Sequence, residues 1–222
     1  MQLSHADAIL KQVTTDYDAI ASHFASTRSF PWPEFAFLQP LLKPNLNLLD
    51  VGCGSGRLAE DVPSDIHYTG VDVSEQLLKI AKIKYPQHQF VPGSMLALPF
   101  PDSAFDITTA VASLQHIPSD TYRLKAVQEL ARVTKPGGYV FLINWNMAGS
   151  YFEPHRAPRD QDFDENDFLM PWRNEKGEQL ALRYYHGFTQ PELQSLCEQA
   201  GLIVETQRCT VGSRNCLTIA RK

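Results

Sequence analysis

The sequence predicts an α/β fold, with helices packed on a mostly parallel sheet. Three observations predict it. Short apolar runs alternate with amphipathic stretches along the chain. A glycine cluster follows the first apolar run, and an acid, Asp72, closes the second. The 222 residues are 43% hydrophobic and 20% charged, which suits one packed domain.

Residues 8–24 are predicted as an N-terminal helix lying over the sheet, and residues 46–51 as a short buried strand whose glycine cluster opens a helix. Residues 66–72 make a second strand. Ser74 then caps a helix through Leu77, Leu78, Ala81 and Ile83, stopped by Pro86. Residues 87–92 and 105–114 are the third and fourth strands. A helix over 120–133 carries Leu124, Val127, Leu130 and Ala131, and Pro136-Gly137-Gly138 separates it from a fifth strand at 139–144.

Residues 146–182 have no steady period. They hold Pro154, Pro158, Pro171 and the acids Asp160, Asp162, Asp164, Glu165 and Asp167, and read as a long insertion or lid. Thr189-Gln190-Pro191-Glu192 is a capping box opening a helix to Ala200, with Gly201 as its stop. Two closing strands follow at 202–208 and 211–220. The expected organisation is a single domain, with a helical cap at 1–44, a core at 45–145, the insertion at 146–182 and a closing unit at 183–222.

Composition excludes a mainly disordered chain, a collagen and a coiled coil. No apolar run approaches the ~18 residues of a membrane span, and the polar start, with Asp7, does not resemble a signal peptide. Four widely spaced cysteines without a CxxC pair point to reduced thiols in a cytoplasmic protein with no metal site. The formal net charge of -5 argues against gripping nucleic acid by bulk electrostatics. Yet the acidity concentrates at 160–167, while Arg208, Arg214, Arg221 and Lys222 gather near the carboxyl end. Charge therefore limits how tightly the chain alone could hold an RNA without excluding one as substrate.

The informative loop is Asp50-Val51-Gly52-Cys53-Gly54-Ser55-Gly56. Glycines there let the backbone turn sharply and approach a ligand closely. Asp72, twenty positions after Gly52, lies where its oxygens can accept bonds from both hydroxyls of a ribose. Together they imply an adenosine-type ligand; a ligand-free glycine turn is the plainer alternative. A dinucleotide GxGxxG is absent, because Arg57 stands where the third glycine would be. Cys53 reads as a small buried residue.

The GxGxG spacing after Asp50 resembles motif I of the class I methyltransferases, which bind S-adenosylmethionine. The segment at 96–106, with Leu98-Pro99-Phe100-Pro101-Asp102, and Thr134-Lys135-Pro136-Gly137-Gly138 agree with that class. The resemblance covers about residues 45–145. It implies the Rossmann-like class I fold, a mostly parallel seven-stranded sheet with an antiparallel last strand. It also implies cofactor contacts at Asp50, Gly52, Gly54, Gly56 and Asp72, with Val73, Ser94, Met95 and Ala112 around the adenosine. Ser94 departs from the class, which often has Asp there. Its hydroxyl or backbone carbonyl could replace that acceptor for adenine, with Met95 against the ring.

Two blocks outside the core carry a finer resemblance. Tyr17-Asp18, Ile20-Ala21, His23-Phe24, Thr27-Arg28 and Pro31-Trp32-Pro33 occur in the order found in the tRNA methyltransferases that esterify 5-carboxymethyluridine at the wobble position. Arg183-Tyr184-Tyr185-His186-Gly187-Phe188 resembles that family's Arg-Tyr-Tyr-His-x-Phe segment, and His116 is retained from its Ile-His-His-Trp. The implied activity is methyl ester formation on tRNA, with a small zinc-binding activator subunit as partner. Arg28 would grip the carboxylate of the substrate or of the cofactor's methionine moiety. His116 would hydrogen-bond the substrate, unless it merely caps a helix. Trp32, Trp145, Tyr185 and His186 could stack on or fence a base, or serve only as core. Two other readings stay open: an O-methyltransferase of a small carboxylic acid or other metabolite, and an inactive cofactor-binding subunit of an RNA-modification complex.

Overall fold

The computed structural model describes residues 1–27, 32–145, 162–209 and 215–222. Seven strands form the main sheet: β1 (Asn47–Val51), β2 (His67–Asp72), β3 (Gln89–Pro92), β4 (Phe105–Val111), β5 (Thr134–Trp145), β8 (Ile203–Cys209) and β9 (Asn215–Arg221). Their order is β3-β2-β1-β4-β5-β9-β8. The first five run parallel, and β9 is antiparallel to both β5 and β8. The expected Rossmann-like class I fold is the one observed.

Strict alternation builds its two faces. Leu49, Val51, Val140 and Leu142 point into a cluster with Ala126, Val127 and Leu130 of α3 (Asp120–Val133) and Leu193 and Leu196 of α4 (Gln190–Gln199). Their neighbours Leu48, Phe141 and Ile143 point into a second cluster with Leu78 and Ala81 of α2 (Glu75–Lys84) and with Phe35 and Leu38. Ser74, Ser119 and Thr189 accept a backbone N–H in the first turns of α2, α3 and α4. The strands thus bring the loops after β1, β2 and β4 to one edge, the usual ligand edge of such sheets.

Several local expectations change. The glycine loop opens no α-helix; only a 3-10 turn at Leu58–Glu60 forms before Pro63. The N-terminal helix is longer than predicted: α1 spans Leu3–Ser26. Cys209 and Cys216 face each other across β8 and β9 and are joined by a disulfide, contrary to the expected reduced thiols, while Cys53 and Cys197 are free and buried. The cations gathered near the carboxyl end in sequence are spread out in space. Arg208 pairs with Leu217 and stacks on Phe37, Arg221 pairs with Ile203 at the other end of the two strands, and Lys222 donates to the carbonyls of Arg132 and Thr134. Arg214 lies outside the described residues.

Within the expected insertion, 146–161 lie outside the described residues, and the remainder is ordered into a hairpin. Strands β6 (Asp167–Arg173) and β7 (Gln179–His186) pair antiparallel, and β7 crosses the predicted boundary at 182. The hairpin is clasped to the helices through charge. Arg123 of α3, only 1% exposed, bonds Asp120 and lies 3.5–3.8 Å from Asp164, Asp167 and Glu192. His186 sits among them, its Nδ1 2.6 Å from Asp167 and its Nε2 2.8 Å from Glu192. Both ring nitrogens are thereby committed to carboxylates. His186 is a buried structural residue rather than part of a substrate wall. Glu192 is drawn there too, so Thr189 forms only half of the expected capping box.

Burial opposes a charge on His186, but its hydrogen bonds to Asp167 and Glu192 raise its pKa above the ordinary histidine value. A raised histidine pKa adds stability that is complete below the unfolded value near ~6.5 and fades as pH climbs through the folded value. Replacing His186 by Gln should therefore cost about 1–2 kcal/mol in denaturant melts at pH 6 and less at pH 9. An equal cost at both pH values would show that the imidazole is not charged there.

Candidate active site

At the carboxyl edge of the sheet, under α1, lies a cavity of about 370 Å³, a size that suits a small ligand. Its floor is the loop after β1, held down by Gly52 and Cys53, whose N–H groups donate to Val71 at 2.7 and 3.1 Å. The three glycines of that loop all have positive φ but do different things. A Cβ on Gly52 (φ 75°) would come within 2.2 Å of the Ser113 Cβ, so the turn after β1 and the turn after β4 fit only without it. Gly54 (φ 56°) lines the cavity, and its nearest neighbours, Phe24 and Leu77, are 3.7 and 4.0 Å from a Cβ there. Gly56 faces Tyr85 and Phe90, which a Cβ would meet at 2.9 and 3.3 Å. Contrary to expectation, Gly56 does not line the cavity; it is a packing glycine.

Asp72 closes β2 with one oxygen accepting the Gly54 N–H and the other the Ser74 N–H, each at 2.8 Å. Burial raises its pKa while these backbone donors oppose the rise. They fix the carboxylate beside the cavity, and each oxygen keeps a further lone pair for a ribose hydroxyl. Asp50 lies deeper, accepting the Tyr68 and Thr109 hydroxyls at 2.8 Å each, and burial pushes its pKa up to about 6. Val73, Ser94, Met95 and Ala112 also line the cavity. Ser94 already accepts the Leu96 N–H on its hydroxyl and the Ala97 N–H on its carbonyl. Ala112 is held at φ 51° by its N–H to Ile143, a left-handed conformation costing a non-glycine residue about 1–2 kcal/mol. Such strain concentrates at functional turns.

Opposite this loop, α1 and β7 supply the other wall. Trp32, Trp145 and Tyr185 line it, with Trp145 stacked on Tyr185 at 5.1 Å and the Arg57 guanidinium 5.3 Å over Trp32. His116 also lines the cavity, but its two nitrogens are in use. Its Nδ1 lies 2.8 Å from the Tyr184 carbonyl, an obligate acceptor, so Nδ1 carries the proton. Nε2 then accepts the Tyr17 hydroxyl at 2.9 Å, and Tyr17 accepts an N–H of Arg183 at 3.1 Å. Burial, with Arg183 adding to it, lowers the His116 pKa to about 3. The expected hydrogen bond from His116 to a substrate has no free nitrogen to make it; the residue instead positions Tyr17. Arg28 lies outside the described residues.

Tyr17, Arg183 and Ser113 belong to the site and were not singled out by the sequence. The first two stand inside the quoted blocks, but nothing in their spacing says that residues 166 apart would touch. Among the described residues no group of three or more His, Cys, Asp or Glu is placed to hold a metal, and no helix is long and apolar enough to cross a membrane. A cradle lined by a bare glycine, with a carboxylate held at the end of β2, fits an adenosine-bearing cofactor.

Residues 49–142 match the family described as a methyltransferase domain. Over 221 aligned residues the chain is 31% identical to the tRNA (carboxymethyluridine(34)-5-O)-methyltransferase of Schizosaccharomyces pombe, covering 90% of this chain and 91% of that one. An Arabidopsis thaliana protein of the same name is 37% identical over 135 residues, and there the match covers 61% of this chain but only a third (33%) of the relative. Among solved structures, a SAM-dependent methyltransferase from Methanosarcina mazei superposes with a TM-score of 0.71 at 24% identity, over 86% of this chain and 98% of that one.

The two cavity-side glycines should respond differently to alanine. Gly52→Ala meets Ser113 head-on and should cost several kcal/mol, in the range of overpacking plus backbone strain, leaving little folded protein. Gly54→Ala has room and should lower stability by only about 1 kcal/mol, yet weaken S-adenosylmethionine binding at least about tenfold, because its methyl group occupies the cradle. Thermal melts and calorimetric titration read the two effects. A Gly54→Ala protein that binds the cofactor normally would contradict the cradle.

Proposed function

Because this chain belongs to the tRNA (carboxymethyluridine(34)-5-O)-methyltransferase family, and with it to the S-adenosylmethionine-dependent methyltransferases, we propose that it esterifies the carboxylate of a 5-carboxymethyl-type uridine at the wobble position of tRNA. One observation supports the carboxylate in particular. The cavity's imidazole, His116, has both nitrogens bonded and a pKa depressed to about 3, which makes it a poor acceptor for a substrate proton. A hydroxyl or amine nucleophile would need such an acceptor. A carboxylate, with a pKa near ~4, arrives already ionised.

When bound, S-adenosylmethionine supplies a methyl group on positively charged sulfur, which leaves as a neutral thioether once an oxygen lone pair bonds to the methyl carbon. The chain's part is to hold and orient. Gly54 and Asp72 would cradle and fix the adenosine, with Asp50, Val73, Ser94, Met95 and Ala112 completing that pocket. Trp32, Trp145 and Tyr185 would fence the uracil. Their rings, together with α1, exclude water and keep the oxygen aligned with the methyl group, a proximity effect. Arg28, read from its sequence block, would contact the carboxylate of the substrate or of the methionine moiety.

A small zinc-binding activator subunit belongs to the same proposal, as does residence in the cytoplasm alongside tRNA. The net charge of -5 and the spatial spread of the carboxyl-terminal cations support help from such a partner in holding RNA. The same charge favours a second reading, a free small carboxylic acid as substrate.

The test uses labelled S-adenosylmethionine and bulk tRNA lacking the ester, with and without a coexpressed activator. Label should enter tRNA and be released by mild alkali, as an ester requires. Label on added small carboxylic acids but never on tRNA would select the second reading, and label on neither would refute esterification.

A further inference from the structure

Arg183 on β7 is an isolated buried cation. The residue is 2% exposed and its guanidinium lies 4.6 Å from the Trp172 ring, 5.2 Å from Tyr185 and 5.7 Å from Tyr17. One N–H reaches the Tyr17 hydroxyl at 3.1 Å, while Nε is buried with no hydrogen-bond partner. Asp16 on α1 is the carboxylate whose field it feels, but no carboxylate among the described residues lies within 4.0 Å of it. Asp16 gives one oxygen to Gln12, which donates to it at 2.8 Å, and its other oxygen is buried without a hydrogen-bond partner.

Buried charges are normally paired, because leaving water is costly and only a partner of opposite sign restores much of the loss. The other buried guanidinium among the described residues obeys that rule: Arg123 is ringed by Asp120, Asp164, Asp167 and Glu192. Arg183 has three aromatic faces and one phenol, and it lines the cavity. The rings supply cation–π attraction and keep water away. They leave Nε, an in-plane donor, without an acceptor.

Its place along the cavity says which anion would suit it. Asp72 and Gly54 mark the adenosine end. Arg183 is tied through Tyr17 to His116, just past β4, and Tyr185 beside it stacks on Trp145. It therefore faces the end where an acceptor would enter, beside the rings proposed to fence a base.

We propose that Arg183 is the substrate-recognition residue for the acceptor's carboxylate, the missing acid partner of this guanidinium, with Tyr17 fixing its plane. This rests on the carboxylate-esterification reading above and adds the residue that selects a carboxylate over its neutral counterparts. The planar fork can grip one carboxylate oxygen or both, leaving a lone pair free to react, whereas an amide in the same place would present N–H groups to a cation.

The experiment measures binding to protein saturated with S-adenosylhomocysteine, so that it does not depend on turnover. The probes are the 5-carboxymethyluridine nucleoside and its carboxamide, titrated into wild type, R183Q, R183K and R28A. Wild type should prefer the carboxylate by about 10- to 100-fold. R183Q should lose that preference while keeping its S-adenosylhomocysteine affinity within about threefold, and R183K should keep part of it through its charge. Melting curves confirm that each variant is folded; should R183Q fail to fold, R183K carries the test, because lysine lacks the two-point fork and should lose most of the preference.

Three results would overturn the inference: no carboxylate preference in wild type, a preference lost in R28A but intact in R183Q and R183K, or a loss in the Arg183 variants confined to cofactor affinity. If wild type shows the preference here while the labelled-tRNA assay stays blank, the carboxylate site stands and the tRNA reading falls.

Discussion

A single run of buried and half-buried hydrogen bonds decides the shape of this site: Arg183 to Tyr17, Tyr17 to His116, His116 to the Tyr184 carbonyl. It joins α1, β7 and the turn after β4, which are distant in sequence. Its polarity is set at one end by the carbonyl, which can only accept, and at the other by the guanidinium, which can only donate. Each bond is worth about 1 kcal/mol net, but breaking one strands a buried polar group at a cost of about 1–3 kcal/mol. The helix is therefore held over the cavity by groups that cannot easily rearrange. Asp18 adds a second tether, accepting the Ser74 hydroxyl at 2.6 Å.

That tether explains why a neutral histidine lines a methyl-transfer cavity. Its chemistry is spent on orientation. The same reasoning separates Arg123 and Arg183, the two buried arginines among the described residues. Arg123 is ringed by carboxylates and holds the hairpin to the helices, whereas Arg183 faces the cavity with aromatic rings for company. Desolvation raises the energy of both, and only the second leaves that energy to be recovered by a ligand. The fold makes one arginine structural and the other receptive by what it places beside them.

Much of the fold was legible because the sheet is buried on both faces. Alternating residues such as Leu48 and Leu49, or Phe141 and Leu142, must each find a core, and the resulting apolar runs stand out. The helix at 120–133 was read to the residue, since Ser119 before it and Pro136 after it mark its ends. The glycine turn and the carboxylate beside the cavity were legible too, because glycine at φ 75° and an acid at a strand end are local demands. What failed was non-local. Gly56 looked like its neighbours but serves Tyr85 and Phe90, and His186 looked like a base-fencing aromatic but is claimed by Asp167 and Glu192. No periodicity reveals such partners. The hairpin was hidden for a further reason: its strands mix Pro171, Arg173 and Arg183 into the apolar pattern, so the period of two is broken.

In the proposed esterification the nucleophile arrives ionised and the site removes no proton. This is tested most directly by single-turnover methyl transfer at saturating S-adenosylmethionine and tRNA, followed across pH. The rate constant should stay flat between about pH 7 and 9, because a carboxylate near ~4, His116 near 3 and Asp50 near 6 keep their protonation states across that range. A rate that climbs tenfold per pH unit across that range would mean that a base is at work, and would contradict it.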